Sequence, residues 1–205
     1  MKELLIATTN PAKFAEYGLL LREFELKLLS LNDVKLEREA PESAATFAGN
    51  ARIKAAFYFV HSGYNTLADD GGLEVDALGG APGVMSHRWL GTDQVDDRTL
   101  AEAVVRRMEG VEPARRSARL RAATAVIYTD HGVVREALAE AALEGVIGDR
   151  CHSDVRLGFP YRSVLFLPER GRYLAELPED EAARLSQRRI AVERLAEDLR
   201  RIACA

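Results

Sequence analysis

The stretch from Ala68 to Trp89 constrains this chain more than any other. Residues 68–83 alone contain four carboxylates and five glycines. Because like charges repel and glycine weakens regular structure, this density predicts a loop rather than an ordinary strand or helix. The neighbouring carboxylates of Asp69 and Asp70 indicate either a hard divalent cation, with magnesium as the first choice, or a raised pKa. A solvated acidic turn is the alternative interpretation.

The composition excludes several classes of function. The chain has 205 residues, of which 47% are apolar, and this is typical of a globular protein rather than a disordered one. It contains no linker or internal repeat, and we predict a single domain over residues 1–205. The net charge of -4 argues against a partner that is a nucleic-acid polymer.

Two further features bear on location and redox chemistry. No apolar run reaches the roughly 18 residues of a membrane-spanning helix. The apolar start gives way to polar Thr8–Asn10 too early for a signal peptide, so we expect a cytoplasmic protein with no membrane partner. Cys151 and Cys204 show no CxxC spacing, and they indicate neither a zinc site nor a disulfide framework.

The N-terminal segment has the pattern of an anion-binding turn. Leu4–Ala7 is an apolar run typical of a buried strand, and the polar residues after it end at Asn10. Asn10 suits a helix N-cap and Pro11 suits the first helical position, so a helix is predicted to begin there. Its free N–H groups and dipole favour phosphate, and Lys13 adds a charge one turn in. A plain capped helix with a surface lysine is the alternative.

The rest of the chain alternates between strand and helix patterns. A helix is predicted from Phe47 to Val60 with a stop at Ser62–Gly63, and it places Asn50 and Lys54 on one face, for which a solvated face is the alternative. The other predicted strands cover residues 26–31, 66–68 and 164–167, and a helix is predicted over 96–108. A long hairpin is predicted to turn at 130–132, with a helix over 137–144 as the alternative. One amphipathic C-terminal helix is predicted from 179 onward, with Leu185, Val192, Leu195, Leu199 and Ile202 on one face.

The order and spacing of several motifs resemble the inosine triphosphate pyrophosphatase family. The motifs are residues 7–13, Glu42 with residues 46–55, nearly all of residues 68–88, and weaker matches at residues 144–148, Gly158–Phe159, Ala175–Glu176, Ser186 and Arg188. That family hydrolyses non-canonical purine nucleoside triphosphates, such as ITP, dITP and XTP, to monophosphate and pyrophosphate. The resemblance implies an α/β fold with an elongated mixed β-sheet flanked by helices, in two lobes with a central cleft. It also implies a homodimer with magnesium as cofactor.

The resemblance also implies a role for each matching residue. Glu42 and Asp70 would hold the metal, and Asp70 or Asp69 would activate the attacking water. Phe159 would stack on the base. The triphosphate would be held by Thr8, Asn10, Lys13 and Lys54, with Lys54 also acting in catalysis, and further substrate-binding positions are Gly71, Ser186, Gln187 and Arg188.

The chemistry of the reaction is consistent with these roles. Attack on a triphosphate builds negative charge on the phosphate oxygens, so lysines and N–H donors are the useful protein groups. Magnesium offsets further charge and lowers the pKa of bound water, and a carboxylate can take the proton. No nucleophilic side chain is required, so we predict that His61, His87, His131 and His152 are surface or structural residues.

Four positions depart from the family pattern. Gly71 replaces a serine, Arg162 an acidic residue, Ala182 a lysine and Gln187 a histidine. Because buried polar groups that pair with a base discriminate strongly, these changes predict retained phosphate chemistry with altered base recognition. The alternatives are a nucleotide-binding or regulatory homologue without turnover, and a pyrophosphatase with another nucleotide specificity.

Overall fold

The fold is α/β, as predicted, and is built on a mixed sheet of seven strands. It is described from a computed structural model over residues 1–86, 88–91 and 95–204. The strands are β1 (Glu3–Ile6), β2 (Lys27–Leu29), β3 (Thr66–Val75), β4 (Ser117–Asp130), β5 (Val133–Ile147), β6 (Leu165–Leu167) and β7 (Arg172–Tyr173). The α-helices are α1 (Pro11–Leu20), α2 (Phe47–Ser62), α3 (Asp97–Arg107), α4 (Glu179–Leu185), α5 (Gln187–Arg194) and α6 (Ala196–Cys204). The strand order is β2-β1-β3-β4-β5-β6-β7.

The chain divides into two compact units. The first unit comprises Met1–Asp70, Ala122–Ala141 and Arg188–Ala205, and the second comprises Gly71–Arg121 and Ala142–Gln187. None of the helices in the described ranges is both long enough and apolar enough to cross a membrane. The prediction for His87 falls outside the described residues, whereas His61 and His131 are exposed and His152 is half-buried.

The first unit begins with the predicted strand and helix. Strand β1 pairs in parallel with both β2 and β3, so three strand ends with the same direction lie side by side. Asn10 is the N-cap of α1, and its side chain accepts from the backbone of the first turn. Helix α2 has Thr46 as its N-cap and Gly63 as its C-cap, with φ of 74° at the glycine. Both helix starts and the stop after α2 are therefore confirmed.

The prediction of a loop is wrong for residues 69–75, which continue one strand over Thr66–Val75, and it is confirmed for residues 76–86, where the only helical pieces are the short turns Asp76–Leu78 and Gly83–Met85. Successive residues of a strand point to opposite faces, so the carboxylates of Asp69 and Asp70 are directed apart. Each carboxylate also lies beside a cation: Lys13 pairs with Asp69, and Lys54 pairs with Asp70. Charge repulsion thus does not break the strand, since neighbouring elements neutralise it.

A glycine in this strand is required by a close contact in the second unit. A Cβ on Gly72 would lie 1.9 Å from Ser86 Oγ and 3.0 Å from the carbonyl oxygen of Gly83. The hydroxyl of Ser86 donates to that carbonyl at 2.6 Å and accepts from the backbone N–H of Leu73 at 3.3 Å. Gly72 therefore leaves room for Ser86, whose hydroxyl links the turn at Gly83 to strand β3.

We expect Gly72→Ala to destabilise the protein by about 1–3 kcal/mol, because the added methyl group must displace Ser86. Thermal unfolding should show a fall in Tm of roughly 5 °C for a chain of this size. Gly18→Ala is the control: Gly18 lies in α1 with no atom within 4 Å of the new Cβ. An unchanged Tm for Gly72→Ala would contradict the expected clash.

The hairpin prediction is confirmed and the prediction of one C-terminal helix is wrong. Residues 137–144 belong to β5, so the helical alternative there is excluded. The C-terminal segment forms three helices, with Ser186 in a non-helical conformation between α4 and α5, at φ of -57° and ψ of 125°. Leu185 packs against the core of the second unit, whereas Val192, Leu195, Leu199 and Ile202 pack in the core of the first. The apolar residues predicted to share one helix face therefore divide between two cores, and the segment that carries them is three helices rather than one.

Candidate active site

The predicted phosphate and metal residues of the first unit gather around two consecutive aspartates of β3. Asp69 and Asp70 are 3% and 9% exposed, so the prediction of a solvated acidic turn is wrong. Each side chain enters a separate set of charge-assisted contacts. Because β3 lies next to β1 in the parallel part of the sheet, both aspartates lie close to the start of α1 and to the buried face of α2.

Asp70 is joined to Glu42 through an ammonium group. Lys54 Nζ lies 3.1 Å from Asp70 Oδ1 and 3.0 Å from Glu42 Oε1. Burial alone would lower the pKa of Lys54, but the negative charges of Asp70, Asp69 and Glu42 outweigh it and raise this pKa. Lys54 is therefore a cation held between two carboxylates, and the alternative of a solvated α2 face is wrong.

Asn50 belongs to this cluster and was not among the predicted site residues. Its Nδ2 donates to Asp70 Oδ2 at 3.0 Å, and its Oδ1 accepts from the backbone N–H of Ala44 at 2.9 Å. The side chain thus connects Asp70 to the segment that carries Glu42. The sequence signal was available, since Asn50 lies four residues before Lys54 on the same helix face. A Cβ on Gly49 would lie 2.5 Å from Ala44 Cβ, so the glycine permits this close approach.

Asp69 is held by two cations rather than one. Lys13 Nζ lies 3.1 Å and Arg188 Nε 2.9 Å from the same oxygen, Oδ2. Arg188 in turn places Nη1 3.2 Å from Glu16 Oε2. Burial by itself would raise the pKa of Asp69, but Lys13 and Arg188 outweigh it and hold this pKa well below its usual range. The prediction of a raised pKa is therefore wrong for Asp69.

The turn before α1 is organised by Asn10. Its Oδ1 accepts from the backbone N–H groups of Ala12 at 2.9 Å and Lys13 at 3.3 Å, and its own N–H donates to Thr8 Oγ1 at 3.1 Å. Two of the helix N–H groups expected to be free for phosphate are therefore used by the cap. Lys13 is 9% exposed, and burial lowers its pKa, so the alternative of a surface lysine is wrong.

A cavity of about 450 Å³ opens beside this turn within the first unit. It lies beyond the carboxyl ends of β1 and β2, which is where open α/β sheets bind ligands. Thr8 belongs both to this cavity and to the predicted phosphate-binding set. The lining also includes Thr9, Pro11, Phe14, Ser30, Leu31, Asn32, Leu36, Glu37, Arg38, Glu39 and Tyr58.

The other predicted substrate-binding residues belong to the second unit. Gly71 directly follows Asp70 in β3, and Phe159 is 9% exposed with the Arg156 guanidinium 5.6 Å from its ring centroid. Ser186 ends α4 and Gln187 begins α5, where it is 8% exposed. Their contacts with substrate stay predictions.

Comparison with known proteins identifies the family. A family model described as the Ham1 family matches residues 4–198. The chain belongs to the Ham1 family. The family prediction made from the order of the motifs is thereby confirmed.

Curated and solved relatives of this Ham1-family protein match it along nearly its whole length. A protein named dITP/XTP pyrophosphatase from Geobacillus kaustophilus is 38% identical over 197 residues, covering 96% of this chain and 94% of the relative. One of the same name from Listeria innocua is 36% identical over 200 residues, covering 97% and 95%. The structure of a HAM1 protein from Coxiella burnetii superposes with a TM-score of 0.84 at 31% identity, covering 97% of this chain and 98% of that one.

One of the four departures from the family pattern has a structural basis. Ala182, which replaces the family lysine, is 3% exposed and packs in the core of the second unit. An apolar side chain therefore fits this position, and it supplies no charge. Arg162 is half-buried in a short helical turn over Pro160–Ser163.

Proposed function

We propose that this Ham1-family protein hydrolyses non-canonical purine nucleoside triphosphates, such as ITP, dITP and XTP, to the nucleoside monophosphate and pyrophosphate. The observation that carries the proposal is Lys54, held at 3.0–3.1 Å between the carboxylates of Glu42 and Asp70. Lys13 lies on the neighbouring aspartate of the same strand. Two lysines among carboxylates are suited to a polyanionic substrate that carries a cation. The relatives named dITP/XTP pyrophosphatase support the substrate class.

Each predicted site residue of the first unit has a role in the proposed reaction. Lys13 and Lys54 bind phosphate oxygens, and Lys54 also offsets the charge that develops as the bond to pyrophosphate breaks. Thr8 and Asn10 shape the turn beside them. Asp70 accepts the proton of the attacking water on a carboxylate oxygen. Asp69 is a weak base, because Lys13 and Arg188 hold its pKa well below its usual range.

The carboxylates fit a magnesium ion of the kind that arrives with a nucleotide. Magnesium is usually held by one or two carboxylates together with substrate phosphates. Glu42 and Asp70 supply two carboxylates, and no group of three or more His, Cys, Asp or Glu side chains that would cage a metal occurs among the described residues. Glu42 and Asp70 would hold the ion, which would offset phosphate charge and lower the pKa of bound water.

The remaining predicted residues are proposed to contact the rest of the nucleotide. Phe159 stacks on the base, and Gly71, Ser186 and Gln187 occupy further substrate-binding positions. A homodimer in the cytoplasm completes the proposal. The homodimer rests on the resemblance, and sedimentation should give twice the 22.6 kDa mass of one chain.

The proposal is tested with a panel of canonical and non-canonical nucleoside triphosphates. With magnesium, the purified protein should release pyrophosphate and no orthophosphate from ITP, dITP or XTP, and a chelator should stop the reaction. The ratio of kcat/KM values across the panel measures the choice of base, which Gly71, Arg162, Ala182 and Gln187 are predicted to alter. If no triphosphate is cleaved at high enzyme concentration, the proposed function is wrong. Thermal stabilisation by a nucleotide without product would then indicate a binding protein.

A further inference from the structure

Four buried or half-buried side chains of the first unit form a chain of alternating charge. Glu16 contacts Arg188 at 3.2 Å, Arg188 contacts Asp69 at 2.9 Å, and Asp69 contacts Lys13 at 3.1 Å. Their exposed side-chain fractions are 20%, 7%, 1% and 11% in the same order. The residues come from α1, α5 and β3, and their charges sum to zero. The placement of Lys13 therefore depends on side chains from two other elements.

The contacts of Asp69 make this dependence strong. Its Oδ2 accepts from both Lys13 and Arg188, while its buried Oδ1 has no hydrogen-bond partner among the described residues. The carboxylate thus has one oxygen that fixes its rotation, and both cations hold that oxygen. If Arg188 moved, Asp69 would lose half of the support at Oδ2, and the ammonium of Lys13 would lose its fixed partner.

Glu16 holds the other side of Arg188. Glu16 accepts a hydrogen bond from Nη1 of Arg188, and Asp69 accepts one from Nε. Two carboxylates therefore bind separate N–H groups of one planar guanidinium. Such a fork has a fixed geometry, which a single contact does not impose. Glu16 lies three residues after Lys13 in α1, on the same side of the helix. The same helix thus carries both ends of the chain of charges.

We propose that Glu16 is a positioning residue for phosphate binding: it fixes Arg188, which fixes Asp69, which holds Lys13 in place for the substrate. The inference rests on the proposed function, in which Lys13 binds phosphate. Glu16 itself touches neither substrate nor metal in this scheme. Its effect on the reaction passes through Lys13 alone.

The test is Glu16→Gln, which keeps the shape of the side chain and removes its charge. We expect KM for the triphosphate to rise about tenfold, the lower end of the range for losing an outer partner that orients a site residue. The value of kcat should stay within about twofold, because the phosphate contact of Lys13 is made in the ground state and the transition state alike. Glu16→Asp, which keeps the charge, should restore part of the loss. Glu193→Gln is the matched control, since it breaks an exposed pair with Arg189 in the same helix as Arg188.

A double-mutant cycle separates positioning from a merely structural role. In the Lys13→Met background, Glu16→Gln should cause no further change in KM, because the route through Lys13 is already lost. Additive effects on KM would overturn the inference. So would a fall in Tm for Glu16→Gln with KM unchanged.

A second measurement does not depend on turnover. The Kd of inorganic tripolyphosphate, measured by calorimetry, should rise about tenfold for Glu16→Gln and stay unchanged for Glu193→Gln. If the wild type cleaves no triphosphate but this Kd changes through Lys13, the proposed function fails and the positioning role stands. If the wild type cleaves triphosphates and Glu16→Gln alters neither constant, the positioning role fails and the proposed function stands.

Discussion

Asp70→Asn should lower kcat for triphosphate hydrolysis roughly 10³-fold, within the range for loss of a general base. An asparagine accepts only through its oxygen, whereas Asp70 accepts from Asn50 at one oxygen and Lys54 at the other. Because Asn50 Oδ1 is already held by Ala44, Asn50 cannot turn its acceptor toward the new amide. One of the two donors around position 70 is therefore left facing another donor. Steady-state kinetics with the best triphosphate of the panel measures the loss.

The matched control for this prediction is Asp76→Asn. Asp76 is exposed and pairs with Arg119 in the second unit, and it has no part in the proposed chemistry. This variant should keep the kcat of the wild type. Turnover by Asp70→Asn within about tenfold of the wild type is too high for loss of a general base, and it would exclude Asp70 from that role.

Asp69→Asn should lower the free energy of unfolding by about 3–5 kcal/mol, more than Gly72→Ala does, because it leaves two buried cations without their shared carboxylate. Lys13 and Arg188 both contact Asp69 Oδ2. Thermal unfolding should show a fall in Tm of roughly 10 °C for a chain of this length. The control is Asp180→Asn, which removes the same charge from a pair with Arg184 whose side chains are 69% and 70% exposed. That change should be close to neutral.

The same substitution predicts a pH dependence with a definite sign. The pKa of Asp69 in the folded protein lies well below its usual range, whereas in the unfolded chain it is about 3.9. The resulting stability is fully present above about pH 5 and is lost as the pH falls below about 4. Urea unfolding at several pH values should therefore show the difference between wild type and Asp69→Asn shrinking toward acid. A difference that stays constant with pH would contradict this assignment.

The local signals in the sequence predicted the local structure well. Asn10 and Pro11 begin α1, Thr46 begins α2 and Gly63 ends it, because caps act through bonds to residues a few positions away. Each of these decisions lies within one turn of the chain. The α/β class follows from the same patterns.

What the sequence did not predict depends on partners that are distant along the chain. The acidic stretch read as a loop because its charges had no visible counter-ions, and those counter-ions are Lys13, Lys54 and Arg188. The raised pKa was wrong for Asp69 for the same reason. Asn50 read as part of a polar face because its partner Asp70 lies 20 residues away.

The motif order did predict which residues the first unit gathers. Glu42, Lys54 and Asp70 lie in contact, and Lys13 contacts Asp69. Glu16 carried no such signal, since a glutamate one turn into a helix usually faces solvent. The role of Glu16 becomes visible only in the structure, where Glu16 contacts Arg188, a residue 172 positions further along the chain.

The alternating charges of Glu16, Arg188, Asp69 and Lys13 have a consequence for how this family varies in evolution. A change at one of these positions leaves an uncompensated charge in a buried place, so we expect single replacements to be rare even where they spare the substrate. Replacements should instead occur together. Among Ham1 proteins, we expect positions 16 and 188 to covary, with both lost where one is lost.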